Sequence, residues 1–169
     1  QAADRAARFV LSNLRREDGR LLRRYRKGEA GIPAVLDDYA CLVWGLLEAY
    51  EAGFDAAHVM AAVALHDQMR ADFRDEPNGG FFLTADGSEA LLFRAKEIDD
   101  GAIPSGNSVA VWNALRLGHM TGDPAYEEEA ESALRAFAPQ ADTSPLGSMQ
   151  LFVALDFALG PTCEIVIAG

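Results

Sequence analysis

Residues 36–52, LDDYACLVWGLLEAYEA, decide the fold class because they are apolar around the whole circumference of a helix. Tyr39, Val43 and Leu46 recur at helical spacing along one face. The other faces also carry small, aliphatic or aromatic residues, namely Ala40, Cys41, Trp44 and Ala49. A helix that is apolar on every face is buried on all sides in a globular protein. We therefore predict a buried inner helix here, in which the Cys41 thiol packs as a small apolar group.

The sequence on either side alternates between this pattern and a pattern with one polar face. Residues 55–73 place Asp67, Gln68, Arg70 and Asp72 opposite apolar positions, which is typical of a surface helix. An amphipathic helix is also expected near residues 3–15. The complete alternation predicts inner helices at 36–52, 108–120 and 146–159, and outer helices at 55–73 and 124–137. Glu127, Glu128, Glu129 and Glu131 should form the solvent face of the last outer helix.

This alternation is an internal repeat of about 70 residues. Ala30–Pro33 precedes the first inner helix much as Ala102–Pro104 precedes the second, and a glycine ends each of these inner helices. Turn-and-strand segments are expected around residues 18–19 and 78–87, the second as a β-hairpin. Repeated helix pairs cover their apolar faces by stacking. The sequence therefore predicts an all-α fold, a partial (α/α) toroid of about three inner and outer helix pairs with β-hairpin insertions.

The predicted toroid domain covers residues 1–160, and residues 161–169 would begin a strand-forming segment that includes Glu164–Ile167. The last inner helix and this segment have no later partner in the sequence, so we expect an exposed apolar edge. Either the rest of a longer parent chain or self-association would cover that edge.

Composition and charge exclude several classes of function. The 169 residues are half hydrophobic and carry a formal net charge of -11, which disfavours binding to nucleic acid. No apolar run reaches the roughly 20 residues needed to cross a bilayer, and the first residues lack the apolar block of a secretory signal. We expect a cytoplasmic protein without membrane or nucleic-acid partners.

The sequence offers no recognisable metal or cofactor motif. The three histidines show no ligand spacing, the two cysteines form no CxxC, and P-loop and dinucleotide fingerprints are missing from the sequence. We therefore expect no metal and no cofactor. Nine of the fifteen Lys and Arg residues fall within the first 27 positions, which indicates a solvated basic corner on an acidic body.

Several motifs resemble those of the spermatogenesis-associated protein 20-like, or YyaL-like, thioredoxin-domain-containing proteins. They lie throughout the chain, at residues 32–40 (IPAVLDDYA), 79–82 (GGFF), 94–97 (RAKE), 100–108 (DGAIPSGNS) and 154–161 (ALDFALGP). The resemblance implies the later part of an (α/α)6 toroid of the six-hairpin-glycosidase type, following a thioredoxin-like domain that this chain lacks. It also implies carbohydrate metabolism, by a link of fold alone.

In toroids of this type, the loops that lead into the inner helices line the ligand funnel. We therefore take the loop acids Asp38 and Asp100 as candidate catalytic residues. Two carboxylates that face one funnel could transfer protons to and from a sugar, as a glycoside hydrolase or a sugar epimerase requires. Candidate substrate-binding residues come from the same two loops: Asp37, Tyr39, Lys96, Glu97, Ser105 and Asn107. We predict that six of these side chains line one common cavity: Asp38, Tyr39, Glu97, Asp100, Ser105 and Asn107.

Each candidate also has a structural interpretation. A carboxylate at Asp37 or Asp38 could cap the first inner helix, and Ser105 or Asn107 could cap the second. Lys96 beside Glu97 could form a solvated ion pair. Two hypotheses therefore stay open: a carbohydrate-handling enzyme that works through loop carboxylates, and a non-catalytic binding or scaffolding module that accompanies a thioredoxin-like domain.

Overall fold

The computed structural model describes residues 1–87 and 93–161, and this part of the chain is mostly helical. Its α-helices are α1 (Ala2–Asn13), α2 (Leu36–Gly53), α3 (Ala56–Phe73), α4 (Gly106–Thr121), α5 (Pro124–Thr143) and α6 (Met149–Leu159). One antiparallel hairpin, β1 (Leu22–Arg26) and β2 (Glu29–Pro33), lies between α1 and α2, and a 3-10 turn at Pro145–Ser148 precedes α6. The predicted all-α class is confirmed.

The helices pack in two rows. Helices α2, α4 and α6 lie side by side in sequence order, while α3 packs against α2 and α5 packs against α4. Described residues thus contain two complete inner and outer pairs and the inner helix of a third. This arrangement agrees with the predicted partial toroid.

The turns between inner and outer helices repeat, as the sequence predicted. Phe54 and Gly122 adopt the left-handed conformation at the ends of α2 and α4, with φ angles of 54° and 71°. Asp55 and Asp123 follow, and each side chain accepts a hydrogen bond from a backbone N–H in the first turn of the outer helix.

Helix α4 is the centre of the core, whereas α2 and α6 are not buried on all sides. Every residue of α4 from Gly106 to Gly118 is buried except the half-buried Trp112. In α2, Cys41 is exposed, so the prediction of a fully buried helix and a packed thiol is wrong there. In α6 only Leu151 and Ala154 are buried, and the prediction is wrong again. The reason is position: α4 has inner neighbours on both sides and α5 behind it.

The predicted β-hairpin at residues 78–87 is also wrong. This segment is a loop. Its β-type pairing is limited to an isolated bridge between Phe81 and Arg74, the residue that follows α3. Gly79 and Gly80 have φ angles of 74° and 72°, which interrupts an extended strand. A Cβ on Gly80 would approach the Phe137 ring to 2.6 Å, so glycine is required where this loop crosses α5.

The outer helices bury more polar groups than the pattern indicated. Asp72 on α3 is buried and accepts hydrogen bonds from Arg20, at 3.2 and 2.9 Å. Glu129 on α5 is only 2% exposed, so its assignment to a solvent face is wrong. Helix α5 also continues past the predicted end at residue 137 to Thr143, with Pro139 inside it.

The predicted strand at Glu164–Ile167, the other cysteine at position 163 and almost all of the predicted segment 161–169 lie outside the described residues. Across residues 1–87 and 93–161, the helices are too short or too polar to span a membrane.

Candidate active site

The predicted catalytic carboxylates Asp38 and Asp100 both bind backbone N–H groups. Asp38 Oδ2 accepts from the N–H of Val35 at 2.9 Å, at the start of α2, and lies 3.4 Å from Arg23 Nε. Asp100 Oδ1 accepts from Ser105 N–H at 2.9 Å, and its Oδ2 accepts from Gln150 N–H at 2.7 Å. Asp38 therefore stabilises the first turn of α2, and Asp100 joins the start of α4 to the start of α6.

Ser105 and Asn107 organise the entry to α4. Ser105 is the N-cap, and its Oγ accepts from Ser108 N–H at 3.1 Å. The Asn107 side chain is fully buried and holds two loops by their backbones. It accepts from Phe81 N–H at 2.8 Å and donates to the carbonyl oxygens of Phe81 and Glu97, at 2.9 and 3.0 Å. These three bonds are all internal to the protein, so the geometry favours a structural role.

Tyr39 does not line the predicted common cavity, and the candidate substrate-binding residue Lys96 is occupied by contacts within the protein. Tyr39 is 2% exposed in the core, where it packs against Phe73 and its hydroxyl accepts from Leu21 N–H at 2.7 Å. Lys96 Nζ donates to Asp75 Oδ2 at 2.7 Å and to the Gly79 carbonyl at 3.0 Å. The Tyr39 side chain therefore belongs to the core on the buried face of α2. Lys96 stabilises the loop that contains Gly79 and Gly80.

A smaller cleft at the entry to α4 does contain several predicted residues. It has a volume of about 190 Å³, and three carboxylates, Asp37, Glu97 and Asp99, line it. Glu97 and Asp99 are exposed, whereas Asp37 is half-buried. The remaining walls are largely apolar and include Leu36, Leu83, Ala102, Ile103 and Pro104. We call this group the Asp37 cleft.

The Asp37 carboxylate differs from the others in its electrostatics. Burial raises the pKa of Asp37, and the negative charges of Asp38 and Glu97 raise it further. A hydrogen bond from the Gly106 N–H opposes these effects but does not cancel them. A side chain at Gly106 would clash with this carboxylate, which explains the glycine between Ser105 and Asn107. The cleft thus contains a carboxyl with a raised pKa and an exposed carboxylate, a combination that is able to transfer protons.

A second cluster of charged residues was missed from the sequence. Glu129 accepts from Arg70 Nε at 2.6 Å and lies 2.6 Å from Nε2 of the fully buried His66. Burial by itself would raise the pKa of Glu129, but His66 and Arg70 offset it, and the pKa is lowered. Arg70 also lies over the Tyr126 ring, whose hydroxyl donates to Asp67 at 2.9 Å. We call this group the Glu129 cluster, and it ties α5 to α3.

The fold and the cleft together define a class, an all-α protein of paired helices with an acidic cleft at the entry to a central helix. Human spermatogenesis-associated protein 20 is 34% identical to the chain over 160 residues, 89% of this chain and 20% of the relative. The rat protein of the same name is 35% identical over 135 residues, and an uncharacterized Caenorhabditis elegans protein is 30% identical over 142 residues. No family model matches the chain.

The chain belongs to the spermatogenesis-associated protein 20 family, as its motifs predicted. It spans about a fifth of the length of the relatives that it matches. Family membership names no reaction, so any activity has to be argued from the cleft.

Proposed function

We propose that the chain is part of a carbohydrate-handling protein, in which Asp37 is the proton donor and Glu97 the partner carboxylate. The observation that supports this is the raised pKa of Asp37 in a cleft that it shares with a second, exposed acid. The role first assigned to Asp38 and Asp100 moves to this pair, because the carboxylates of those two residues stabilise helix ends.

The chemistry of the cleft favours a neutral polyhydroxylated ligand. Carboxylates accept hydrogen bonds from hydroxyl groups, and the apolar walls suit the C–H faces of a sugar ring. Three acids in one cleft would repel phosphate or carboxylate groups on a ligand. The cleft is smaller than the roughly 300–1,000 Å³ of complete ligand pockets, so it would hold one sugar unit or form one wall of a larger site.

The test is binding of neutral sugars and sugar acids to the full chain, measured by thermal shift and calorimetry. We expect a neutral sugar to raise the melting temperature, since a ligand that binds only the native state stabilises it. Asp37→Asn and Glu97→Gln should abolish that shift. Glu17→Gln, which changes an exposed carboxylate outside the cleft, should keep it. An equal shift in all variants would place the sugar elsewhere and contradict the proposal.

The second candidate function is a non-catalytic binding or scaffolding module attached to a thioredoxin-like domain. The observation that favours it is the use of Asp38, Asp100 and Asn107 as internal hydrogen-bonding partners. The two candidates differ in the longer parent protein. If the parent turns over a sugar and Asp37→Asn abolishes turnover while the protein stays folded and stable, the scaffold hypothesis fails. If no variant of the cleft changes any function of the parent, the scaffold hypothesis is preferred.

We also propose that the rest of the parent chain covers a groove between α5 and α6. The groove has a volume of about 1130 Å³, and its apolar lining includes Leu134 and Leu151. Its lining also carries four acids, Glu127, Glu128, Glu131 and Asp142, beside a single arginine, Arg135. Leu159 of α6 lines the groove and is 77% exposed. Because outer helices already cover α2 and α4, an amphipathic helix with basic flanks fits this place.

Cysteine labelling tests this coverage. With both native cysteines replaced by serine, Leu159→Cys should react quickly with a maleimide in the chain alone and slowly in the longer parent. Met60→Cys, at a 72% exposed position on α3, should react quickly in both and serves as the control. Equal labelling of Leu159→Cys in both proteins would contradict coverage by the parent, and concentration-dependent protection would indicate self-association instead. The cytoplasmic location stays a prediction.

A further inference from the structure

One group of potential metal ligands shares no residue with the Asp37 cleft and lies where the start of α1 meets the start of α3. The side chains of Asp4, Asp55 and His58 each offer a ligand atom, and these atoms all lie within 4.8 Å of one another. Asp4 belongs to the first turn of α1, Asp55 is the N-cap of α3, and His58 follows in the first turn of α3. We propose that these three residues bind a transition-metal ion, with Zn²⁺ as the best fit, and thereby fasten α1 to α3.

The state of His58 is the observation that distinguishes this group from an ordinary acidic surface. The residue is only 7% exposed, and Nδ1 finds no hydrogen-bond partner among the described residues. Nε2 faces Asp4 Oδ1 at 3.4 Å. A buried polar group without a partner is costly and rare in folded proteins. The imidazole is therefore held beside two carboxylates and is not committed to another hydrogen-bonding network.

Both carboxylates keep an oxygen available. Asp55 Oδ1 accepts from Ala57 N–H at 3.0 Å, and Asp4 Oδ1 accepts from Arg8 Nε at 3.2 Å. Within the described residues, the hydrogen bonds give no donor to Oδ2 of either residue. The Arg8 side chain is 70% exposed, and an exposed ion pair of this kind contributes little, so a metal ion can displace it.

The donor set selects the class of metal. One imidazole with two carboxylates suits Zn²⁺, which commonly takes three protein ligands and a water. Ca²⁺ and Mg²⁺ prefer oxygen ligands alone, which argues against both ions. Asp55 and His58 are three residues apart on one helix, so both can face the same ion.

The packing of α1 gives such a site a role. No residue of α1 is buried, so the helix adds little to the core. A metal ion that bridges Asp4 and the start of α3 would hold α1 in place and stabilise the native chain according to its affinity. This role is separate from sugar binding, and it holds whether or not the proposed function is correct.

The test uses the full chain with both cysteines replaced by serine, so that thiols do not bind the metal. Calorimetry with zinc chloride should give one ion per chain, and zinc should raise the melting temperature above that of the chelator-treated protein. His58→Gln and Asp55→Asn should each reduce the zinc affinity at least tenfold. Asparagine is as good an N-cap as aspartate, so Asp55→Asn removes a ligand without destabilising α3.

Two further variants separate this site from incidental binding. His119→Gln changes a histidine outside the group and should leave the zinc affinity unchanged. Arg8→Gln removes the cation that competes for Asp4 and should tighten zinc binding. Equal zinc affinity in His58→Gln, or no zinc-dependent change in melting temperature, would overturn the proposal. Should His58→Gln fail to fold, unchanged affinity in Asp55→Asn would overturn it equally.

Discussion

The Glu129 cluster and the Asp37 cleft are both built on acidic residues, but they use their charges in opposite ways. Glu129 is 2% exposed, and each of its oxygens lies 2.6 Å from a nitrogen, one on His66 and one on Arg70. Asp37 is half-buried beside two further carboxylates, and a hydrogen bond from the Gly106 N–H and the more distant charge of Arg23 favour its ionised form. The pKa of Glu129 is lowered, whereas the pKa of Asp37 is raised.

This difference separates structural acids from candidate catalytic ones. A buried carboxylate with paired oxygens stabilises the fold, and removing it leaves its partners uncompensated. A carboxyl with a raised pKa costs stability when it is ionised, so the fold does not require its charge. Asp100 belongs with Glu129, since each of its oxygens accepts a backbone hydrogen bond, and Asp37 stands apart.

Glu129→Gln should have the largest effect on stability. The substitution leaves the Arg70 charge without its partner, and we expect the free energy of unfolding to fall by about 3 kcal/mol. Urea denaturation measures the change, with the exposed Glu128→Gln as a control expected to lie within about 0.5 kcal/mol of the parent. Equal effects of the two variants would show that the cluster does not stabilise the fold.

The same cluster predicts a dependence on pH. Because the folded pKa of Glu129 is lowered, its stabilising contribution is present above the pKa of the unfolded chain and is lost as pH falls through the folded pKa. The Glu129→Gln variant should therefore lose less stability than the parent on acidification. If the melting temperatures of both proteins fell by the same amount on acidification, Glu129 would not be the source of this pH dependence.

Asn107→Ala should have the next largest effect. The variant leaves the Phe81 N–H and two carbonyl oxygens unpaired in the interior, and about 2 kcal/mol of stability should be lost. Asn13→Ala removes a single exposed hydrogen bond and should cost much less. A small effect at Asn107 would indicate that water replaces its bonds.

Asp100→Asn should cost about 1 kcal/mol. Asparagine keeps one acceptor oxygen but loses one of the two backbone hydrogen bonds that join the starts of α4 and α6. Thermal unfolding of the chain measures the loss. Unchanged stability, with turnover abolished in the longer parent, would return Asp100 to the catalytic pair.

Asp37→Asn should have the smallest effect on stability and the largest on ligand binding. The raised pKa of Asp37 gives stability that is present below the pKa of the unfolded chain and is lost as pH rises through the folded pKa. The variant lacks this loss, so its stability relative to the parent should increase between acidic and neutral pH. A clear loss of stability in the variant at neutral pH would show that Asp37, like Glu129, is a structural acid.

Much of the candidate site could be predicted from the sequence, but not the role of each residue. Asp37, Glu97, Ser105 and Asn107 do meet at the entry to α4, because their two loops precede adjacent inner helices. Which neighbouring carboxylate faces the cleft depends on the direction of each side chain, so Asp37 and Asp38 could not be distinguished. Glu129 lies three residues after Tyr126 and four before Ala133, both buried, and that spacing is a signal that the sequence does carry.

The sequence by itself determined the helical class, the alternation of helices, the capped turns at Asp55 and Asp123 and the family, because these depend on local periodicity and on motifs. The tertiary structure alone decided which apolar helix is enclosed, since α2, α4 and α6 share a pattern but differ in their number of neighbours. The tertiary structure also decided which carboxylates have raised or lowered pKa values. Burial and partners set the pKa of a carboxylate, and residues distant in the sequence, such as His66 for Glu129 and Gly106 for Asp37, supply both.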